Sequence, residues 1–254
     1  LVEDINIQTM SNSLLYKVKS RLQSIFLPKH QTQVEHLSTF GNFYYSQEGE
    51  DAILNRLFGG KTEGFYVDVG AHHPMRFSNT YFFYKKGWKG INIDAMPGAM
   101  KIFDIDRPRD TNLEVAISSK KEELLFYIFN EPALNTFSKT EANKKDGFQE
   151  YRIIEKKTIA TQTLNEVFEK YLPKNQVIDF MSVDVEGLDL EVLKSNNWEQ
   201  FRPKILLVED LVKQPLIQFI ESSELFLFLK GKHYELIGKT FNTLFFKDTR
   251  CKNL

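Results

Sequence analysis

The sequence is poor in the features that most quickly place a protein. It has one cysteine, Cys251, so an internal disulfide and a cysteine-built metal cluster are both excluded. It has no excess of either charge. Lys and Arg number 33 against 34 Asp and Glu, which removes the basic footprint of a nucleic-acid binder. Long apolar runs are missing too. The greasiest stretch, Leu225-Phe226-Leu227-Phe228-Leu229, falls far short of the roughly 18–20 residues that a membrane span needs, so no integral membrane segment is expected. The opening Leu1-Val2-Glu3-Asp4 is not the basic start of a signal peptide, so a reduced, cytoplasmic setting is expected. The first residue is Leu rather than Met, so further sequence upstream is expected. A dinucleotide turn of the form G-x-G-x-x-G is also absent.

What is present suits a single large core: 254 residues, 42% of them hydrophobic. Residues 1–44 read apart from the rest. Leu14, Leu15, Val18, Leu22, Ile25 and Phe26 recur at helical spacing before Pro28, with Lys17, Lys19 and Arg21 between them. This predicts an amphipathic N-terminal extension that packs on the main domain or pairs two copies into a homo-oligomer. Residues 45–254 then alternate strand-like and helix-like segments. Ser46 is placed as the cap of a first helix. Strands are expected at Phe65–Val69, Gly90–Asp94, Leu113–Ile117, Val177–Val183 and Lys204–Val208. Helices are expected from Ser78 through Tyr84, near Thr163–Tyr171, at Leu188–Lys194 and, unbroken, across Gln214–Phe228. Two further strands flank a polar insertion or lid at 130–150, and a terminal hairpin closes the chain. This rhythm predicts a doubly wound α/β sheet with a terminal antiparallel pair.

In such a sheet, ligands sit outside the carboxyl ends of the strands. Those ends are acidic here: Asp68, Asp94, Asp184 with Glu186, and Glu209 with Asp210. Asp68-Val69-Gly70-Ala71 reads as a nucleoside-binding turn or as a helix-capping acid beside a turn glycine. Asp94, closing the next strand, can accept both hydroxyls of a ribose, or be a plain surface acid before Pro97-Gly98. Met96 can pack on an adenine face or in the core. Trp88 and Trp198 are placed in the core. The lysines of the insertion, Lys139, Lys144 and Lys145, can meet an anionic substrate or water.

Five motifs then carry a resemblance. They are Ser46-Gln47-Glu48-Gly49-Glu50-Asp51, Tyr66-Val67-Asp68-Val69-Gly70-Ala71, Ser78-Asn79-Thr80-Tyr81, Gly87 to Asp94, and Asp179 to Gly187. In this order, over residues 45 to about 247, the chain resembles the FkbM family of S-adenosylmethionine-dependent methyltransferases. The resemblance implies a Rossmann-like class I methyltransferase sheet of seven mostly parallel strands. It implies that the donor lies against Asp68, Gly70, Ala71, His72, Ser78, Asn79 and Asp184. Asp94, Ala95 and Met96 would hold the ribose side, and Ala116, Ile117 and Ser118 the adenine. The acceptor would be a hydroxyl of a small molecule, a sugar or glycan, or a secondary metabolite. His72-His73-Pro74 departs from the commonest family loop and puts two imidazoles near the transfer point. His73, His72, Asp184 and Glu186 are therefore the candidate bases. Asp184, Glu209 and Asp210 are a candidate Mg2+ set. Two other functions compete: an NAD-dependent oxidoreductase, which the single glycine of the turn argues against, and a non-catalytic nucleoside-binding module.

Overall fold

The computed structural model describes residues 42–211 and 215–251. The amphipathic extension expected in residues 1–44, and any oligomer built through it, lies outside the described residues. The chain divides into two compact units, Leu1–Phe43 and Tyr44–Leu254.

The second unit is built on seven strands: β1 (Phe65–Val69), β2 (Lys89–Asp94), β3 (Thr111–Glu114), β7 (Phe180–Val183), β8 (Ile205–Glu209), β9 (Tyr234–Lys239) and β10 (Thr243–Asp248). They hydrogen-bond in the order β3-β2-β1-β7-β8-β10-β9. Only β10 runs antiparallel to its neighbours, β8 and β9. A second sheet of three strands, β4 (Ala116–Ile117), β6 (Ile153–Gln162) and β5 (Glu123–Phe129), stands in that order beside it. The helices are α1 (Glu50–Leu57), α2 (Tyr81–Lys85), α3 (Met100–Asp106), α4 (Lys139–Lys145), α5 (Leu164–Tyr171), α6 (Asp189–Lys194), α7 (Leu216–Ser222) and α8 (Glu224–Gly231).

The central strands read as continuous apolar runs because both of their faces are buried. Alternation sends Val67, Val69, Met181, Val183, Leu206 and Val208 to one face, against Leu164, Phe168, Val192 and Leu193 of α5 and α6. Tyr66, Phe180, Ile205 and Leu207 go to the other face, against Leu54, Phe83 and Trp88. Both tryptophans are core residues, as their sequence context suggested. A Cβ on Gly64 would lie 2.5 Å from the Trp88 ring, so the indole occupies the space that the glycine leaves.

Three local expectations fail for identifiable reasons. Ser46 does not cap the first helix. α1 starts only at Glu50, after Gly49 in the left-handed region, and Ser46 instead forms a bridge with Phe77 while its Oγ donates to Asp51. The third strand is two strands. β2 ends at Asp94, so Val115 donates to the Asp94 carbonyl and the chain leaves the edge to pair with β6. The long apolar helix breaks at Ser223, whose extended backbone and side-chain oxygen cap α8 through the Phe226 N–H. By contrast, α5 begins with a full capping box, Thr163 with Glu166, which stabilises its start by about 1 kcal/mol.

Candidate functional site

A cavity of about 510 Å³ opens at the carboxyl ends of β1, β2, β7 and β8. The strand order reverses direction between β1 and β7, so this is the crevice where an open α/β sheet receives ligands. One wall is built from strand ends and their loops: Asp68, Gly70, Ala71, His72, Ser78, Asn79, Asp94, Ala95, Met96, Asp184, Glu186 and Glu209. The other wall comes from the second sheet and its insertion, through Phe126, Leu134, Asn135, Phe137, Lys145 and Tyr151.

Asp68 and Asp94 both face this cavity. Asp94 Oδ2 accepts the His72 N–H at 2.8 Å, and its Oδ1 accepts the Met96 N–H at 2.7 Å. The carboxylate is thus fixed in orientation, with a lone pair left on each oxygen for a ligand. Burial raises its pKa, and those two backbone donors oppose the rise. Asp68 Oδ2 accepts from the Thr80 hydroxyl at 2.9 Å. Burial pushes Asp68 up to about 6, while the charge of Arg107 works the other way.

Gly70, two residues after Asp68, lines the cavity and also has a task within the sheet. A Cβ on Gly70 would sit 1.7 Å from the Asp184 carbonyl oxygen, and its φ is +86°. The glycine therefore lets the ends of β1 and β7 close together. Its own N–H is spent on the Ile93 carbonyl.

The two histidines separate. His72 lines the cavity in the left-handed region at φ 52°, and burial lowers its pKa, so it is neutral near pH 7. His73 is outside the lining. Its Nδ1 accepts the N–H groups of Met75 and Arg76, both at 3.0 Å, which holds the loop and assigns the ring proton to Nε2. Burial also lowers its pKa. His73 is a loop brace, and the expectation of a base there fails on position and on hydrogen bonding.

Farther along the same wall, at the ends of β7 and β8, the acids crowd. Asp184, Glu186 and Glu209 can each turn one ligand oxygen to within 4.8 Å of the others. Asp184 is exposed to the cavity yet closely surrounded by protein, so desolvation and then the charges of Glu186 and Asp189 raise it well above the usual carboxylate range. Glu209 lies beside Asp184, and one of its oxygens, Oε2, is buried without a partner. Burial and the neighbouring carboxylates push Glu209 up to about 12. Glu186 is raised by burial, against the pull of its ion-pair partner Lys145 from α4. Asp189, braced by the Val185 and Gly187 N–H groups, is pushed by burial to about 7.

Other expected residues fall elsewhere. The carboxylate of Asp210 is held by Lys239 at 2.6 Å, so the trio that could hold a cation contains Glu186 in its place. Ala116 and Ser118 are buried behind the cavity, and Val115 and Ile117 face it, because the break after β3 shifts the alternation. Within the insertion, Lys145 is bound to Glu186 and Lys144 to Glu141. The opening motif is a clasp. Glu48 accepts both N–H groups offered by Asn242, and Glu50 accepts from Thr243, closing the cavity against β10. Arg107 was not singled out by sequence, and Thr80 entered only as part of the Ser78-Asn79-Thr80-Tyr81 motif, without a role of its own. An isolated arginine beside Pro108 carries no periodic signal.

Seven strands in this order, with the antiparallel strand between the last two and acids on the ends of β1 and β2, define the class I methyltransferase fold. The sequence profile of the Methyltransferase FkbM domain matches residues 68–236. The chain belongs to the FkbM family of S-adenosylmethionine-dependent methyltransferases. Among solved structures it is similar to an O-methyltransferase from Bacillus cereus in complex with SAH. That likeness has 10% sequence identity, covers 91% of this chain and 96% of that chain, and has a TM-score of 0.41. No curated protein matches the chain. Among the described residues, no helix is long and apolar enough to cross a membrane.

Proposed function

We propose that the chain methylates a hydroxyl oxygen of a small molecule or sugar, with the donor held by the β1–β2 side of the cavity and the acceptor placed toward Asp184. One observation carries the reading: Asp68 and Asp94 line the same cavity as Asp184, Glu186 and Glu209. The donor supplies an activated methyl group on a positively charged sulfur. Asp94 offers its two remaining lone pairs to the ribose hydroxyls, with Ala95 and Met96 beside it. Gly70, Ala71, His72, Ser78 and Asn79 form the loops around it, and Asn79 is fixed by donating to Ser182 at 2.9 Å. Val115 and Ile117 supply the apolar surface for the base.

A sugar hydroxyl is a very weak acid, so its proton needs an acceptor as the oxygen attacks. Asp184 takes that role in our reading. Burial and the charges of Glu186 and Asp189 raise the proton affinity of Asp184, which suits it to accept a proton from the attacking hydroxyl. Phe126 and Phe137, with ring centroids 4.5 Å apart, offer the acceptor an apolar wall. The single cysteine fits a reduced, cytoplasmic setting.

A second reading has its own support. The spacing of Asp184, Glu186 and Glu209, together with the buried lone oxygen of Glu209, suits a divalent cation such as Mg2+ that would bind the acceptor oxygen. Thermal denaturation with S-adenosylhomocysteine or NAD tests the main reading. Stabilisation by S-adenosylhomocysteine is expected, and stabilisation by NAD alone would reverse the reading in favour of an oxidoreductase. Methyl transfer that persists in excess EDTA would remove the cation.

A further inference from the structure

Arg107 is wholly buried, carries a charge, and does not line the cavity. Its Nε donates to Asp110 at 2.9 Å and its Nη1 to the Pro74 carbonyl at 3.2 Å. Nη2 faces three oxygens: the Tyr66 hydroxyl at 2.7 Å, Thr80 Oγ1 at 3.0 Å and Asn92 Oδ1 at 3.2 Å. A structural ion pair would be complete at Asp110. Here the charge instead reaches across β1, β2 and the start of α2.

A guanidinium only donates, so each hydroxyl that accepts from it must turn its own hydrogen away. The Tyr66 hydroxyl therefore donates to Asp110 at 2.7 Å. Thr80, also wholly buried, donates to Asp68 Oδ2 at 2.9 Å. Ser78 Oγ lies 3.2 Å from Thr80 Oγ1 and accepts the Tyr81 N–H, which keeps the turn closed around the hydroxyl. Among the described residues, Asp68 Oδ1 takes no hydrogen bond and is left for a ligand. The other charges around Asp68 are the carboxylates of Asp94, Asp110 and Asp184, all repulsive to it, so Arg107 is the cation that offsets them.

We propose that Arg107, acting through the Thr80 hydroxyl, is the positioning residue that aims the Asp68 carboxylate at the donor subsite. The proposal rests on the donor assignment above. Neither Arg107 nor Thr80 touches the cavity, so their effect must pass through Asp68. A double-mutant cycle isolates that passage. Arg107→Lys can fail to fold, so Thr80→Val, which keeps the branched shape and loses the hydroxyl, is the primary variant. Calorimetry with S-adenosylhomocysteine should show affinity falling roughly tenfold in Thr80→Val, the scale of one hydrogen bond to a charged group. Thr80→Ser should restore it to within about twofold, since the hydroxyl returns. In an Asp68→Asn background, Thr80→Val should change affinity by less than about twofold, because coupled effects do not add. In turnover, Thr80→Val should raise KM for the donor and spare kcat. An equal loss with and without the Asp68 charge, or no loss at all, overturns the proposal. A wild-type protein that binds no S-adenosylhomocysteine overturns the donor assignment itself, a distinct result.

Discussion

The two sides of the cavity treat their carboxylates in opposite ways. On the β1–β2 side, Asp68 and Asp94 are each tied by neutral donors, Thr80 for one and the His72 and Met96 N–H groups for the other. On the β7–β8 side, three carboxylates share a small space with one lysine, and one buried oxygen has no partner. A fixed, hydrogen-bonded acid is suited to binding, because its orientation is set before the ligand arrives. Crowded acids with raised pKa values are suited to moving a proton, because burial and mutual repulsion make each carboxylate a stronger base than one in water. The contrast makes one side a holder and the other a reactor.

The sharpest break of this contrast is Asp184→Asn. It should lower the methyl-transfer rate by roughly 10²- to 10⁴-fold at saturating donor, with affinity for S-adenosylhomocysteine nearly unchanged. Rates close to wild type would return Asp184 to a structural role. Asp94→Ala should do the converse: calorimetry should show a loss of about 10- to 100-fold in S-adenosylhomocysteine affinity, as charge-assisted hydrogen bonds disappear. Unchanged affinity would unseat the ribose assignment.

A smaller effect should appear in stability. Burial lifts Asp189 to about 7 and Glu209 to about 12, both above their values in an unfolded chain. The folded protein therefore holds protons that the unfolded chain releases above about pH 4, and stability falls as pH rises. Asp189 exacts this loss up to about 7, and Glu209 continues to exact it beyond. Melting temperature without ligand should decline from about pH 5 to pH 8, and Glu209→Gln should flatten that decline and raise the melting point at pH 8 by a few degrees. A flat profile in wild type would mean that these acids are not strained. The smallest effect expected is that of His73→Ala: its ring braces a loop outside the cavity, so turnover should stay within about threefold of wild type.

Much of this was legible in the chain. Asp68, Asp94, Asp184 and Glu186 stand where apolar runs stop, and a run that stops at an acid marks a strand end whether or not its neighbours are known. The five motifs added the family and with it the expectation of seven mostly parallel strands. Other assignments depended on facing. Of Ala116, Ile117 and Ser118, Ile117 lines the cavity together with Val115, while Ala116 and Ser118 do not, since successive side chains on a strand point to opposite faces. Asp210 and Glu209 are adjacent and chemically alike, but Lys239 of the neighbouring hairpin takes one and the cavity takes the other. His73 was attractive as an imidazole until its ring nitrogen met two backbone N–H groups.

Composition and periodicity alone determined that this is an α/β domain with acids at its strand ends, because burial on both faces demands apolar runs and the runs must end somewhere. Tertiary structure alone decided which acids are held still and which are pressed together. That choice depends on contacts between segments far apart in the chain, such as Glu48 with Asn242 or Arg107 with Thr80, and no local pattern encodes them.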